Sequence, residues 1–346
     1  MRLKKFNFLS LRDTETRHES LPALRGTPSR MSMEHTGKFK AFSLVELSIV
    51  ILIVGLLVAG ISGSKKLINK SKLAAARTLS QSSEVASIKN LIFWLDAAKE
   101  NSFINSSSSR AISDGDYVQS WIDGNQELNK YLIFSTSTAT TYPIYRKTSF
   151  NGLPTVEFDG SNDFLSTPNT SRISQPNNFS IFIVFAPLAG NASDTRVSIL
   201  SKSGSSTSNP AYQIAFDSSN MNPSVVVTSD STTQISYSNS SNTLKKNVPT
   251  ILTVTHNSIT TASGLKAYIN GATSAFQLGS SSALSSIIDN SQPLDIARYV
   301  DKSGSNANRF CKCYISEIIM YDRVLDDEEL SAITKYLGRK WGISIS

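Results

Sequence analysis

The chain has few of the residues from which most catalytic and metal sites are built. It holds two cysteines and three histidines in 346 residues, and only 18% of its residues are charged. Cys311 and Cys313 form a Cys-x-Cys pair, too sparse for a disulfide framework and without the further ligands of a zinc site. In a strand the two side chains share one face, so they read as small apolar core residues or as a local disulfide. His18 and His35 lie before residue 42, which leaves His256 as the one imidazole of the remaining chain, on a β-like run where a structural role is expected. There is no nucleophilic triad and no Gly-rich phosphate loop.

Positive charge is also missing where a nucleic-acid binder needs it. The net charge is +7, but residues 1–41 hold nine Lys and Arg against four Asp and Glu. The remaining 305 residues are therefore close to neutral. A protein that coats nucleic acid carries its basic footprint on the folded domain, so no nucleic-acid partner is expected. The basic residues instead precede an apolar run, and the positive-inside rule then keeps residues 1–41 cytoplasmic and sends the rest of the chain across the membrane.

That run is Phe42-Ser-Leu-Val-Glu-Leu-Ser-Ile-Val-Ile-Leu-Ile-Val-Gly-Leu-Leu-Val-Ala-Gly-Ile61. It is apolar enough to span a bilayer, yet it carries Glu46. A charge within a spanning helix costs roughly 2.5–3.5 kcal/mol on insertion scales and usually has a partner. An ordinary anchor would not carry it. A cleaved secretory signal is the alternative, but Val58-Ala59-Gly60 through Ser64 is a mediocre cleavage site and leaves Glu46 unexplained. Snorkelling of Glu46 to the headgroups is the bland account of the acid.

Lys40-Ala41-Phe42-Ser43-Leu44-Val45-Glu46 and the run behind it resemble the prepilin signal of type IV pilins and type II secretion pseudopilins. The resemblance implies a prepilin peptidase that cuts between Ala41 and Phe42 and methylates the new amine of Phe42. That family usually has Gly before the cut, where this chain has Ala41. It further implies that Glu46 takes the amine of a neighbouring subunit and sets the axial register, because two charges that are each costly alone offset one another when paired. Residues 1–41 are then a leader, with Met31 or Met33 as alternative starts. Residues 42–61 are the transmembrane and assembly helix of an inner-membrane precursor, N-terminus cytoplasmic. Through residues 42–90 the chain would meet other pilin or pseudopilin subunits.

Residues 62–90 extend the helix. Leu67, Leu73, Ala74, Leu79, Val85 and Ile88 form an approximate amphipathic stripe without an intervening proline. A helix from Phe42 to about Ile88 would be roughly 70 Å long. Gly55, Gly60 and Gly63 are weak points or places of close helix packing.

From Leu91 the pattern changes to short β-rich runs between Ser, Asn and Gly turns: 179–185, 197–200, 212–216, 225–228, 250–256, 265–269 and 294–297. Asn270-Gly271 is a hairpin signal. Residues 311–321 read as a strand. Asp326 then caps a helix, with Glu329 in the capping-box position, Leu325 and Leu330 as a hydrophobic staple, and Ile333, Leu337 and Trp341 on the buried face. The expected fold is thus a long N-terminal α-helix followed by an all-β jelly-roll sandwich with a short C-terminal helix.

Residues 91–346 resemble the concanavalin A-like lectin/glucanase superfamily in its laminin-G-like branch. Phe93-Trp-Leu-Asp-Ala97, Val118-Gln-Ser-Trp-Ile-Asp123, Asn151-Gly-Leu-Pro-Thr-Val-Glu-Phe-Asp-Gly160 and Ile315–Leu325 leading to Tyr336–Gly342 carry the resemblance. Some relatives are glycoside hydrolases, but the second acid near Glu157 and Asp159 falls at Asn162, which cannot donate as an acid. The chain therefore reads as a non-enzyme. Asp96, Asp123, Asp159 and Asp163 are candidate calcium ligands, each also readable as a turn or cap residue. Exposed Trp or Tyr beside Asn and Asp would serve sugar binding.

Together these readings imply a minor pilin or pseudopilin whose lectin-like domain stands in the periplasm or outside the cell on a fibre and binds a glycan or surface. The alternatives are a pseudopilin that docks secretion cargo or other pseudopilins, and an uncleaved membrane-anchored lectin-like protein.

Overall fold

The computed structural model describes residues 44–125, 131–174, 178–189, 196–203, 210–228, 234–238, 244–257, 264–274, 277–278, 287–288, 291–300 and 309–346. The cleavage site expected between Ala41 and Phe42 lies outside them. The chain divides into two compact units, residues 1–57 and 58–346. The described part of the first unit is the beginning of helix α1 (Leu44–Gln81).

The second unit holds the rest of α1 and the β-rich region. Its strands are β1 (Leu91–Asp96), β2 (Phe103–Asn105), β3 (Val118–Ile122), β4 (Ile133–Ser135), β5 (Ile144–Phe150), β6 (Leu153–Asp159) and β7 (Leu165–Thr167). Next come β8 (Phe179–Ala189), β9 (Val197–Lys202), β10 (Tyr212–Phe216), β11 (Pro223–Thr228), β12 (Gln234–Ser238) and β13 (Thr250–His256). The last are β14 (Leu265–Ile269), β15 (Ala272–Ser274), β16 (Gln277–Leu278), β17 (Leu294–Ile296), β18 (Arg298–Tyr299), β19 (Arg309–Phe310) and β20 (Lys312–Tyr321), before helix α2 (Asp327–Trp341).

The strands form a sandwich. One sheet has the order β15-β14-β13-β8-β20-β6-β5, with β1 also on β20. The other has the order β16-β12-β11-β10-β9-β17-β7-β4-β3-β2, and β18 pairs β19 separately. Aromatic pairs join the two inner faces: Phe93 with Phe134 at 5.1 Å, Phe103 with Tyr145 at 5.1 Å, and Phe179 with Tyr212 at 5.7 Å between ring centroids. Each large side chain fully buried in this way contributes about 1.5–3 kcal/mol.

The central strands of the first sheet, β1, β8, β13 and most of β20, are buried on both faces. Strand alternation turns Phe93, Leu95, Ile183 and Ile318 toward the second sheet, and Trp94, Asp96, Phe182, Glu317 and Ile319 the other way. On that other side α2 packs over β13 and seals the sheet with Ile333, Leu337 and Trp341, all fully buried. This explains the unbroken apolar runs of β1 and β8.

Local signals for turns and caps are realised as the sequence implies. Asn270 and Gly271 both take positive φ, 52° and 87°, in the two-residue turn between β14 and β15. The Asp326 carboxylate accepts from Glu329 N and the Glu329 carboxylate from Asp326 N, closing the capping box.

Two expectations change. The regular helix ends at Gln81, well short of Ile88. Its last turns are rich in serine, and Ser80, Ser82 and Ser83 hydroxyls donate back to Ala76 O, Thr78 O and Ser80 O. Such bonds compete with helix continuation. Val85 and Ile88 then leave the helix direction and enter the sandwich core. The stripe facing the sheet is Leu73, Ala76 and Ser80, whereas Leu67 and Ala74 are exposed. Second, Cys311 and Cys313 are bridged to each other and fully buried, so the pair is a disulfide within the core.

Candidate functional site

Three places were singled out by the sequence: the apolar start of α1, the aspartates, and the aromatic residues of the sandwich. In α1, twelve large apolar side chains between Leu44 and Val58 are at least half exposed. Ile49 to Val54 is an uninterrupted apolar stretch of more than one turn, so the apolar surface has no polar side. Glu46 sits in the first turn. A helix apolar all round is stable only when something apolar surrounds it. Among the described residues no helix is long and apolar enough to cross a membrane. The expected run extends beyond them at residues 42–43, and the side chains of Ala59 and Ile61 are likewise not described.

The four candidate calcium ligands do not converge. Asp96 meets Lys340 Nζ at 2.7 Å and accepts from Ser80 Oγ at 2.8 Å. Asp123 accepts from the backbone N–H groups of Trp94 and Asn125, both at 2.8 Å. Burial pushes its carboxyl above the ordinary value, against those bonds. Asp159 and Asp163 share one turn: Asp159 Oδ1 accepts from Ser161 N at 2.7 Å, and Asp159 N donates to Asp163 Oδ2 at 3.0 Å. Burial and the neighbouring Asp159 raise the Asp163 carboxyl to about 7. Among the described residues no group of three or more His, Cys, Asp or Glu side chains is placed to hold a metal ion.

Glu157 is engaged by Arg146 in an ion pair across β5 and β6. His256 lies buried against the Phe179 ring at 5.3 Å. All three tryptophans, Trp94, Trp121 and Trp341, are buried and none offers a platform to a sugar ring. Tyr117 and Tyr131 are each 52% exposed. They precede antiparallel neighbours β3 and β4, so they flank opposite ends of that strand pair, roughly 23 Å apart at 3.3 Å per residue.

Sequence reasoning missed the most concentrated chemistry in the domain. Lys340, at the C-terminal end of α2, places Nζ 2.7 Å from both Asp96 Oδ1 and Glu317 Oε2, and all three side chains are fully buried. Glu317 also accepts from Trp94 Nε1 at 2.6 Å, from Tyr336 OH at 2.7 Å and from Trp341 Nε1 at 2.7 Å. Burial pushes the Glu317 carboxyl up, opposed by Lys340. Ser80 joins α1 to this cluster, and three further contacts fix the same helix. Arg77 reaches Glu100 at 2.6 Å and Ala98 O at 2.9 Å, and Lys72 reaches Asn151 O at 2.9 Å. The one warning in the sequence was Glu317 itself, an acid amid the apolar residues of β20. The cluster has no open access, so its role is to lock α1, β1, β20 and α2 together.

A family profile of the laminin-G type, described as the concanavalin A-like lectin/glucanases superfamily, matches residues 159–331. The chain belongs to that superfamily. Its lectin-like domain includes β7 to β20 and the start of α2 within the matched stretch. No curated protein sequence matches the chain. Among solved structures it is similar to the binding domain of Paraclostridial Mosquitocidal Protein 1, with 14% identity, a TM-score of 0.45, and coverage of 71% of this chain and 52% of that one. The botulinum neurotoxin serotype G binding domain has 12% identity, a TM-score of 0.46, and coverage of 71% and 51%. Trypanosoma rangeli sialidase has 11% identity, a TM-score of 0.46, and coverage of 81% and 40%. The lectin-like chain thus spans about half, or less, of the length of each.

Proposed function

We propose that the chain is a minor pilin or pseudopilin-like subunit of a type IV pilus or type II secretion-type fibre, displaying its lectin-like domain to bind a carbohydrate or a surface. The observation that carries this reading is the start of α1, whose twelve exposed apolar side chains surround the helix while Glu46 lies in its first turn. Such a surface needs lipid first and neighbouring helices later. The peptidase cuts between Ala41 and Phe42, the inner membrane holds the precursor, and the freed amine of one subunit meets Glu46 of the next.

The buried Cys311–Cys313 bridge supports placing the domain beyond the inner membrane, because disulfides persist in oxidising compartments. No catalytic role is assigned to Glu157, Asp159 or Asn162. A second reading, docking of protein cargo without sugar binding, is favoured by the burial of every tryptophan. A glycan array probed with the full chain in detergent micelles, with and without calcium, separates the two. The carbohydrate reading expects a restricted set of glycans to be retained; no retention under either condition removes it and leaves protein docking.

A further inference from the structure

A groove of about 620 Å³ lies between the end of α1 and the outward side of α2. Leu79 and Ala332 supply apolar lining, Asp327 and Glu328 place two exposed carboxylates in the first turn of α2, and Glu84 adds a third from the segment that follows α1. Lys335 and Arg339 line the groove roughly 10 and 16 Å further along α2 at 1.5 Å per residue. The groove therefore has an acidic end that calls for a basic, partly apolar occupant.

The chain presents such a segment elsewhere on its own surface. Lys65, Lys66 and Lys70 are exposed on α1, and between them Leu67 is 66% and Ile68 53% exposed. The segment precedes the groove wall formed by Leu79 and Glu84 by about 14–28 Å along the chain at 1.5 Å per residue. Residues 65–81 belong to one unbroken helix that itself forms part of that wall, so the segment cannot fold back into its own groove.

We propose that the groove receives the Lys65–Lys70 segment of a second copy of the chain. At about 3.6 residues per turn Lys66, Leu67 and Lys70 share one side of the helix, so the Lys66 and Lys70 ammonium groups meet the groove's carboxylates while Leu67 covers Leu79 and Ala332. A contact between two different surfaces is heterologous, and when its rotation does not close it propagates as an open filament. The inference therefore extends the fibre reading to the second unit, yet it does not depend on cleavage before Phe42. Only residues beyond Leu57 take part, so its failure and the failure of processing are read separately.

The test uses the full chain in detergent micelles. Sedimentation compares the native chain with a Lys65→Glu, Lys66→Glu, Lys70→Glu variant, a Glu84→Lys, Asp327→Lys, Glu328→Lys variant, and an equimolar mixture of the two. Each variant alone is expected to associate at least tenfold more weakly than the native chain at low salt, and the mixture to regain association. A second measurement guards against a variant that fails to fold. Chains carrying Lys66→Cys are mixed with chains carrying Glu328→Cys and oxidised, and covalent heterodimers are expected; with Ser107→Cys, an exposed loop position outside the groove, they are not. Native-level association of both charge variants, or no Lys66→Cys to Glu328→Cys dimer, overturns the proposal.

Discussion

Replacing Lys340 by methionine is expected to lower the thermal unfolding midpoint of the domain by about 10 °C. Its Nζ lies 2.7 Å from both Asp96 and Glu317 in a fully buried cluster. Methionine fills similar volume but leaves two carboxylates facing each other out of water. Removing one partner from a buried ionic group costs about 3–5 kcal/mol, and each kcal/mol moves the midpoint of a domain this size by about 2–4 °C. The same change at exposed Lys335 should fall within about 0.5 kcal/mol of the native chain, as is usual for surface positions. The pH dependence has a definite sign. Burial already holds the folded Glu317 carboxyl above its ordinary value. A group raised on folding gives stability that is complete below its unfolded value and is lost as pH climbs through the folded one. The Lys340→Met variant should therefore be more impaired at pH 8 than at pH 5. Circular dichroism melts at both values check this, and a midpoint within 2 °C of the native chain at pH 8 contradicts it.

The second large effect is expected at Glu46. On the proposed fibre reading, changing it to leucine makes the helix more apolar, so insertion and cleavage should continue, while the amine of the incoming subunit should lose its partner. That unpaired charge within a lipid-like environment costs several kcal/mol, enough to reduce the chain in sheared fibres by more than tenfold. Immunoblots of the sheared and membrane fractions measure it. A normal fibre fraction from the Glu46→Leu chain would mean that the acid merely snorkels.

Much of the sandwich was legible because its signals are local or periodic. The runs at 179–185, 212–216, 250–256 and 265–269 appear as β8, β10, β13 and β14, the Asn270-Gly271 turn adopts the backbone only such residues reach cheaply, and Asp326 with Glu329 caps α2. What was not legible depends on residues far apart in the chain. The end of α1 at Gln81 follows from Val85 and Ile88 finding places in a core built by later strands. The partnership of Asp96, Glu317 and Lys340 joins β1, β20 and α2 across more than 200 residues, and nothing near any one of them announces the other two. Which tryptophans are exposed was not legible, because sequence does not show which face of β1 α2 will cover or which face of β3 the first sheet will cover. The aspartates were grouped by type; the structure keeps Asp159 and Asp163 in one turn and gives Asp96 and Asp123 partners elsewhere.

The most direct test of the fibre reading is the mass of the mature amino terminus. Full-length chain expressed in its own host, or beside a prepilin peptidase, is recovered from membranes and its N-terminal peptide is measured by mass spectrometry. The account predicts a chain beginning at N-methylated Phe42, with residues 1–41 removed. A chain that retains those residues, or one cleaved after the apolar run near Ser64, would contradict it.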